Sequence, residues 1–136
     1  MSVMGKAVAV ALGVLVFPAL AANGIDVKRG PDTVLFGNCV PSLVVENKSG
    51  QTIDYLQVDL ALSLRNGQER TVELKSAYRE GVLYPVAPGN SATLKQHLDT
   101  SPALGATCAD VASRRVLRTV CEANGMACAS SVSVQP

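Results

Sequence analysis

The sequence has little of what side-chain catalysis usually requires, since it holds one histidine among 136 residues. A Ser-His-Asp arrangement around His97 would have to recruit Ser91 or Ser101 together with Asp99 or Asp110. The chain lacks the G-x-S-x-G motif that presents a nucleophilic serine on a sharp turn. The alternation around His97 predicts a position on the polar face of a strand. We therefore expect that the protein is not an enzyme.

The shortage of histidine also bears on metal binding. A blue-copper site takes two histidines and a cysteine with a weak axial methionine, and structural zinc takes four suitable ligands. Cys121, Met126 and Cys128 are close together in the sequence. Disulfide formation accounts for these cysteines better than metal binding does, because it uses all four thiols of the chain. We expect no metal and no cofactor.

The chain also lacks a basic excess. It has 12 Lys and Arg against 11 Asp and Glu, and Lys6 is the one charged residue before residue 22, so the rest is 11 against 11. A protein that grips phosphates normally carries a basic stripe. The one basic cluster, Arg114, Arg115 and Arg118, is interpreted as a solvated rim. Nucleic acid is therefore not an expected partner.

Apolar residues concentrate at the N-terminus, behind a basic residue. Lys6 precedes the uncharged run Ala7–Leu20, and Ala19-Leu20-Ala21 places small residues before a cut after Ala21. These parts predict a secretory signal peptide over residues 1–21, because the run is shorter than the roughly 20 residues of a spanning helix. Residues 22–136 suit one domain. We expect this domain in the periplasm or secreted from a Gram-negative bacterium, with no membrane attachment after cleavage.

Four cysteines lie in the exported part: Cys39, Cys108, Cys121 and Cys128. An even number in an exported chain predicts two disulfides, with three connectivities open. Asn124-Gly125 is the dipeptide that a type I′ hairpin loop prefers, and counting outward from it places Cys121 opposite Cys128, within disulfide reach. This favours Cys121–Cys128 with Cys39–Cys108, although the sequence leaves the other two connectivities open.

The residues around this framework alternate with a period of two. From Tyr55 to Leu64, leucine or valine occupies every second position, which predicts a strand with one dry and one wetter face. Turn signals separate further short runs, so seven or eight strands are expected, as in a sandwich. The predicted strands are Thr33–Phe36, Ser42–Glu46, Ile53–Leu64, Thr71–Lys75, Val82–Val86, Ala92–Leu98, Val116–Glu122 and Cys128–Val134, the last two forming a hairpin.

One segment departs from the strand pattern. The run Thr100–Arg115 is rich in alanine and serine, and Thr107 with Asp110 matches a loose capping box. We expect a short helix around Cys108–Ser113 that caps one end of the sandwich.

Two stretches resemble a known class of protein. The pattern VxNxSGxxIxxLxVxLxLxxxNG at Val45–Gly67, followed by VAPGNSATL at Val86–Leu94, is similar to small exported bacterial domains of immunoglobulin-like or fibronectin type III-like fold. The resemblance implies an all-β antiparallel sandwich of about seven strands. It also implies a binding role, including the secreted type that mimics cytokine receptors. The chain has no tryptophan, so the Cys-Trp-Cys core of antibody domains is absent.

Aromatic residues point to candidate contacts with a partner. Tyr55, Tyr78, Arg79 and Tyr84 are the candidate partner-binding residues, because tyrosine and arginine are enriched at the energetic centres of interfaces. The alternative is that Tyr84 packs in the core and Tyr55 covers its own sheet. Unpaired edge strands offer a second route to a partner or to a homodimer.

These observations favour an exported, non-enzymatic binding module with a host or bacterial protein as partner. The alternative is a periplasmic enzyme inhibitor or immunity protein. A small hydrolase or a metal carrier stands third. The motifs are turn chemistry and core alternation, so they indicate an architecture rather than an activity.

Overall fold

The computed structural model describes residues 24–76, 78–79, 82–83, 85–98 and 102–136. This part of the chain is built from short strands and one turn of 3₁₀ helix at Cys108–Asp110. The strands are β1 (Ile25–Arg29), β2 (Thr33–Leu35), β3 (Asn38–Val40), β4 (Ser42–Asn47), β5 (Tyr55–Leu64), β6 (Glu69–Lys75), β7 (Tyr78–Arg79), β8 (Val82–Leu83), β9 (Ser91–Lys95), β10 (Val111–Ala123), β11 (Met126–Ala127) and β12 (Val132–Gln135).

Eight of these strands form one curled sheet in the order β11-β10-β5-β6-β9-β4-β1-β12. Among the described residues, β6 and β9 meet through the pair Lys75 and Lys95 alone. The sheet can therefore bend there into two halves. The side chains of both halves bury one common core, in which β4 contributes Leu43 and Val45 and β5 contributes Leu56 and Leu60. The predicted all-β fold with little helix is confirmed.

The longest run of core residues belongs to β5. Leu56, Val58, Leu60 and Leu62 are fully buried, as the alternation predicts. The predicted wetter face is wrong over the middle of the strand, because Gln57, Asp59 and Ala61 are buried as well. The strand pairs with β6 through the hairpin at Asn66-Gly67 and with β10 on its other side. Strand β5 therefore lies inside the sheet, with β6 hydrogen-bonded along one edge and β10 along the other.

Both predicted disulfides are confirmed. Cys39–Cys108 joins β3 to the 3₁₀ turn over a separation of 69 residues, with Cα atoms 4.7 Å apart. Cys121–Cys128 closes the β10–β11 hairpin over 7 residues, with Cα atoms 5.4 Å apart. Around Asn124-Gly125 the register follows the predicted count, since Ala123 pairs with Met126. The backbone N–H of Cys128 donates to the carbonyl of Cys121 at 3.0 Å.

The predicted last hairpin is wrong beyond its first pairs. Residues Met126–Ala127 pair with β10, but the chain then leaves this half of the sheet. Residues Val132–Gln135 pair in parallel with Ile25–Lys28 of β1 in the other half. No strand is predicted over Ile25–Arg29, because the alternation of apolar Ile25 and Val27 with polar residues covers too few positions to indicate a strand.

The predicted helix is shorter than expected. One 3₁₀ turn spans Cys108–Asp110, and Val111 already begins β10. The backbone N–H of Arg65 donates to the carbonyl of Asp110 at 2.9 Å. This bond ties the turn to the end of β5, so the next residue enters the sheet opposite Leu64.

The predicted signal peptide covers residues 1–21 and lies outside the described residues. Within the described residues, no helix has both the length and the apolar character needed to cross a membrane.

Candidate protein-interaction surface

Strands β2 and β3 form a small two-stranded sheet separate from the main one. Thr33 pairs with Val40, and Leu35 pairs with Asn38, so Phe36-Gly37 forms a two-residue turn at the apex. We call Thr33–Val40 the tip hairpin. Its three apolar residues at and before the turn are solvent-exposed rather than packed in the core.

The turn has a backbone that suits glycine and asparagine. Phe36 has φ 49° and Gly37 has φ 77°, the pair of positive values that a type I′ turn requires. A bulky residue with positive φ is a genuine outlier among proteins. The side-chain amide of Asn38 donates to the carbonyl of Phe36 at 3.2 Å, which helps to hold this conformation.

The apex exposes its apolar side chains. Phe36 is 93% exposed, Val34 68% and Leu35 44%. Single exposed hydrophobic residues are ordinary, but a cluster of them marks a site of interaction. Three consecutive large apolar residues, all exposed, make this apex a candidate site of interaction.

The base of the tip hairpin is held rigidly. Cys39 is fully buried and forms its disulfide with Cys108. The N–H of Cys39 donates to the carbonyl of Ala106 at 2.7 Å, and the N–H of Gly105 donates to Oδ1 of Asn38 at 3.0 Å. A covalent bond and two hydrogen bonds therefore fix β3 to the segment that leads into β10.

An ion pair adds a second attachment just before β2. Nη2 of Arg114 lies 2.9 Å from both carboxylate oxygens of Asp32, and Arg29 also donates to this carboxylate at 2.9 Å. Burial raises the pKa of Asp32, but the hydrogen bonds and charges of Arg114 and Arg29 lower it by more, so it lies below its ordinary value. Asp32 is therefore negatively charged at neutral pH and pairs with both arginines.

The interpretation of the three arginines as a solvated rim is wrong for Arg114. Its side chain is 4% exposed, whereas those of Arg115 and Arg118 are 63% and 62% exposed. Arg114 lies opposite Leu62 in the register of β10 and β5, so it shares the core-facing side with that residue. Asp32 compensates its buried charge.

A pocket of about 230 Å³ lies beside the tip hairpin. Residues of two loops line it: the β5–β6 hairpin on one side, and the segment before β10 on the other. The lining includes Leu64, Gln68, Arg70, Gly105, Ala106 and Asp110. Gly105 and Ala106 are the residues that bind the tip hairpin, so the pocket and the hairpin share one supporting segment.

Tyr55 lies away from the tip hairpin, half-buried at the start of β5 on the same side of the strand as the buried Gln57 and Asp59. Its hydroxyl donates to Oε1 of Gln57, whose amide donates to Asp59 at 2.7 Å. Nε of Arg118 donates to the other oxygen of Asp59 at 3.0 Å. Burial is the main cause that raises the pKa of the Tyr55 hydroxyl. The hydroxyl thus already bonds within its own sheet.

Two other candidate contacts, Tyr78 and Arg79, lie in a small sheet of their own. Tyr78 and Arg79 form β7, which pairs with Val82–Leu83 in a second small sheet. Tyr84 lies outside the described residues. The structure thus places Tyr55 in the main sheet and Tyr78 and Arg79 in a separate one.

The residues considered for catalysis lie between positions 91 and 110. Ser91 is the exposed first residue of β9, and His97 is half-buried two residues beyond its end. Asp110 lies in the 3₁₀ turn, where its carboxylate accepts a hydrogen bond from Thr107 at 2.9 Å. Asp99 and Ser101 lie outside the described residues.

The described residues hold one grouping of three potential metal ligands. It consists of Asp32, Cys39 and Cys108. Both sulfur atoms form the disulfide, and the carboxylate binds two arginines, so these groups already have partners.

Phe36 is not among the residues predicted to contact a partner, because its position in the sequence predicts the end of a strand. The available signal was the order of residues from Val34 to Asn38, in which a glycine follows three apolar residues directly. A glycine between two short runs is one half of the dipeptide that predicts a two-residue hairpin loop. The usual first residue of such a loop is asparagine or aspartate, so a phenylalanine at this position gives no turn signal.

The fold has a counterpart among solved structures. IrmA from Escherichia coli is similar over 82% of this chain and 91% of its own, with a TM-score of 0.54 and 16% sequence identity. A likeness at this identity extends to the fold alone. No protein-family model matches the chain, and no curated protein matches it.

Proposed function

We propose that this protein is an exported, non-enzymatic protein-binding module with an immunoglobulin-like or fibronectin type III-like sandwich. The strand order supports this architecture. In such sandwiches the first, second and fifth strands share one sheet, and the third and sixth share the other. Here β1, β4 and β9 take the places of the first, second and fifth strands and are neighbours in one half of the sheet. Strands β5 and β10 take the places of the third and sixth and are neighbours in the other half. Two disulfides support an oxidising compartment.

The exposed apex at Phe36 carries the proposal. A phenylalanine that is 93% exposed gains little from the fold it belongs to, and its positive φ costs free energy. Strained residues of this kind cluster at functional sites, where the surrounding structure holds them in place. Aromatic anchors on pre-organised elements contribute most of the binding energy at interfaces. The tip hairpin has both properties.

The experiment compares two exposed apolar side chains, Phe36 in the tip hairpin and Met126 in the β10–β11 hairpin. Phe36→Asp should abolish capture of the protein partner from periplasmic extract or from the host-cell surface. Met126→Asp is the matched control, because Met126 is 70% exposed at the other hairpin, and it should leave capture unchanged. Met126→Asp should unfold at the same urea concentration as the wild type, and Phe36→Asp at the same or a higher concentration, because aspartate tolerates the positive φ. Equal capture by all three proteins would contradict the proposal.

A second candidate function is inhibition of a periplasmic enzyme, or immunity against one. The rigid base of the tip hairpin favours it, because a braced apolar loop can fill an active-site cleft with little loss of conformational entropy. The captured partner distinguishes the two: an enzyme that loses activity in proportion to added protein supports inhibition. The homodimer stays a prediction, and light scattering of the purified chain tests it.

A further inference from the structure

The pocket beside the tip hairpin has a chemistry different from that of the apex. Arg70 lines it, and its guanidinium donates to Oε1 of Gln68 at 2.8 Å and to the carbonyl of Glu69 at 3.3 Å. Both acceptors are uncharged groups, and Arg70 has no ion pair with any residue that the structure describes. The one carboxylate in the lining, Asp110, accepts a hydrogen bond from Thr107, which orients it but leaves its charge. The pocket therefore holds a guanidinium that has no ion-pair partner among the described residues and can bind an incoming anion, together with one carboxylate that opposes this anion.

The geometry fixes the apex and the pocket relative to each other. Asn38 and Cys39 of the tip hairpin bind Gly105 and Ala106 through the bonds of 3.0 and 2.7 Å described above. Gly105 and Ala106 also line the pocket. A ligand that contacts both features thus meets a protrusion and a recess whose spacing is set by the fold, not by flexible side chains.

We propose that the tip hairpin and this pocket form one two-part docking surface for a folded protein. The partner presents an apolar pocket that receives Phe36 and, beside it, a projecting carboxylate that enters the recess toward Arg70. This inference rests on the proposed function and adds the chemistry of the partner. Anionic lipid is the less favoured source of negative charge, because residues 22–136 carry as many acidic as basic side chains.

The test places a photo-activatable phenylalanine analogue at one position of the full chain at a time. Position 36 probes the apex and position 68 probes the pocket. Position 126, in the β10–β11 hairpin, serves as the control. The same protein cross-linked from 36 and 68, but not from 126, is the expected result. Cross-links from 36 alone would overturn the two-part surface and leave the proposed function intact. Cross-links from 126 alone, or from none of the three, would overturn both.

Charge reversal then tests the carboxylate, with the protein cross-linked at position 36 as the probe. Arg70→Glu should weaken its binding about tenfold or more, and Asp110→Asn should strengthen it by removing a like charge from the recess. Lys28→Glu is the matched control on the other half of the sheet, and its affinity should equal that of the wild type. An equal affinity for Arg70→Glu and the wild type would overturn the inference.

A membrane outcome is measured separately. Flotation with vesicles of phosphatidylethanolamine and phosphatidylglycerol should show no recovery of the protein. Recovery that Phe36→Asp abolishes would show that the apex enters lipid, and it would overturn a protein as the occupant.

Discussion

Two hairpins of this protein share a turn geometry and differ in the residue that occupies it. Phe36 and Gly37 have φ of 49° and 77°, and Asn124 and Gly125 have φ of 53° and 73°. Asparagine tolerates this region because its short polar side chain can bond locally, whereas phenylalanine pays the full steric cost. The turn at Asn124 is therefore one that its local sequence favours. The turn at Phe36 is one that the surrounding structure imposes.

The supports of the two hairpins differ accordingly. The hairpin at Asn124 has a disulfide between residues 7 apart, and Asp54 accepts a hydrogen bond from the Asn124 N–H at 2.7 Å. The tip hairpin depends on partners far along the chain, since its disulfide spans 69 residues and the ion pair of Asp32 and Arg114 spans 82. A strained apex held by distant partners is expected where the exposed side chain, and not the turn, serves a function.

Removal of the disulfides should give the largest difference in stability between the two hairpins. The double variant Cys39→Ala/Cys108→Ala should lower the free energy of unfolding by about 4 kcal/mol, and Cys121→Ala/Cys128→Ala by about 2.5 kcal/mol. The longer loop restricts the unfolded chain more, so its disulfide contributes more. Urea denaturation of the two variants and the wild type measures both values. Equal losses would contradict the chain-entropy explanation.

The ion pair at the base of the tip hairpin should have the next largest effect. Asp32→Ala leaves the guanidinium of Arg114, 4% exposed, without its carboxylate, so the free energy of unfolding should fall by about 3 kcal/mol. Arg114→Met is the control. Nε and Nη1 of Arg114 are buried and have no hydrogen-bond partner among the described residues, and Asp32 keeps Arg29 as a partner. Arg114→Met should therefore lower the free energy of unfolding by less than Asp32→Ala does. A larger loss for Arg114→Met than for Asp32→Ala would refute this account.

The same pair predicts a smaller, pH-dependent effect. The pKa of Asp32 is lower in the folded protein than in the unfolded chain, where it is about 3.9. The contribution of Asp32 to stability is therefore complete above that pH and is lost as the pH falls through the folded pKa. Urea denaturation of the wild type and Asp32→Ala, from about pH 7 to about pH 2, should show their difference shrinking in acid. A constant difference would contradict the prediction.

The sequence could predict what depends on neighbours in the chain. The strand β5, the turn at Asn124 and the adjacent Cys121–Cys128 disulfide all follow from residues within one hairpin or one alternating run. The parallel pairing of Val132–Gln135 with β1 has no such local signal, because it joins segments at opposite ends of the described chain. Non-local pairings of this kind are chosen by the whole fold.

The candidate surface was harder to predict than the fold for the same reason. Arginine is almost never fully buried unless it is paired, and the partner of Arg114 lies 82 residues away. Phe36 resembles a core residue in the sequence, and its exposure depends on the separate sheet that β2 and β3 form. The burial of one and the exposure of the other are therefore both consequences of tertiary structure.

Exchange of the two turn residues has the smallest expected effect on stability and separates stability from binding. Phe36→Asn should raise the free energy of unfolding by about 1 kcal/mol, because asparagine relieves the positive φ and the exposed ring loses almost no buried area. Asn124→Phe should lower it by about 1 kcal/mol for the opposite reason, while the backbone bond to Asp54 remains. Urea denaturation measures both changes.

Binding should change in the reverse sense. Phe36→Asn, although more stable, should lose the partner, and Asn124→Phe, although less stable, should retain it. Capture of the partner on immobilised protein measures this directly. A more stable protein that no longer binds would show that the strain at Phe36 is retained for the side chain it presents. If Phe36→Asn still bound at full strength, the apex would be a strained turn without a role in recognition.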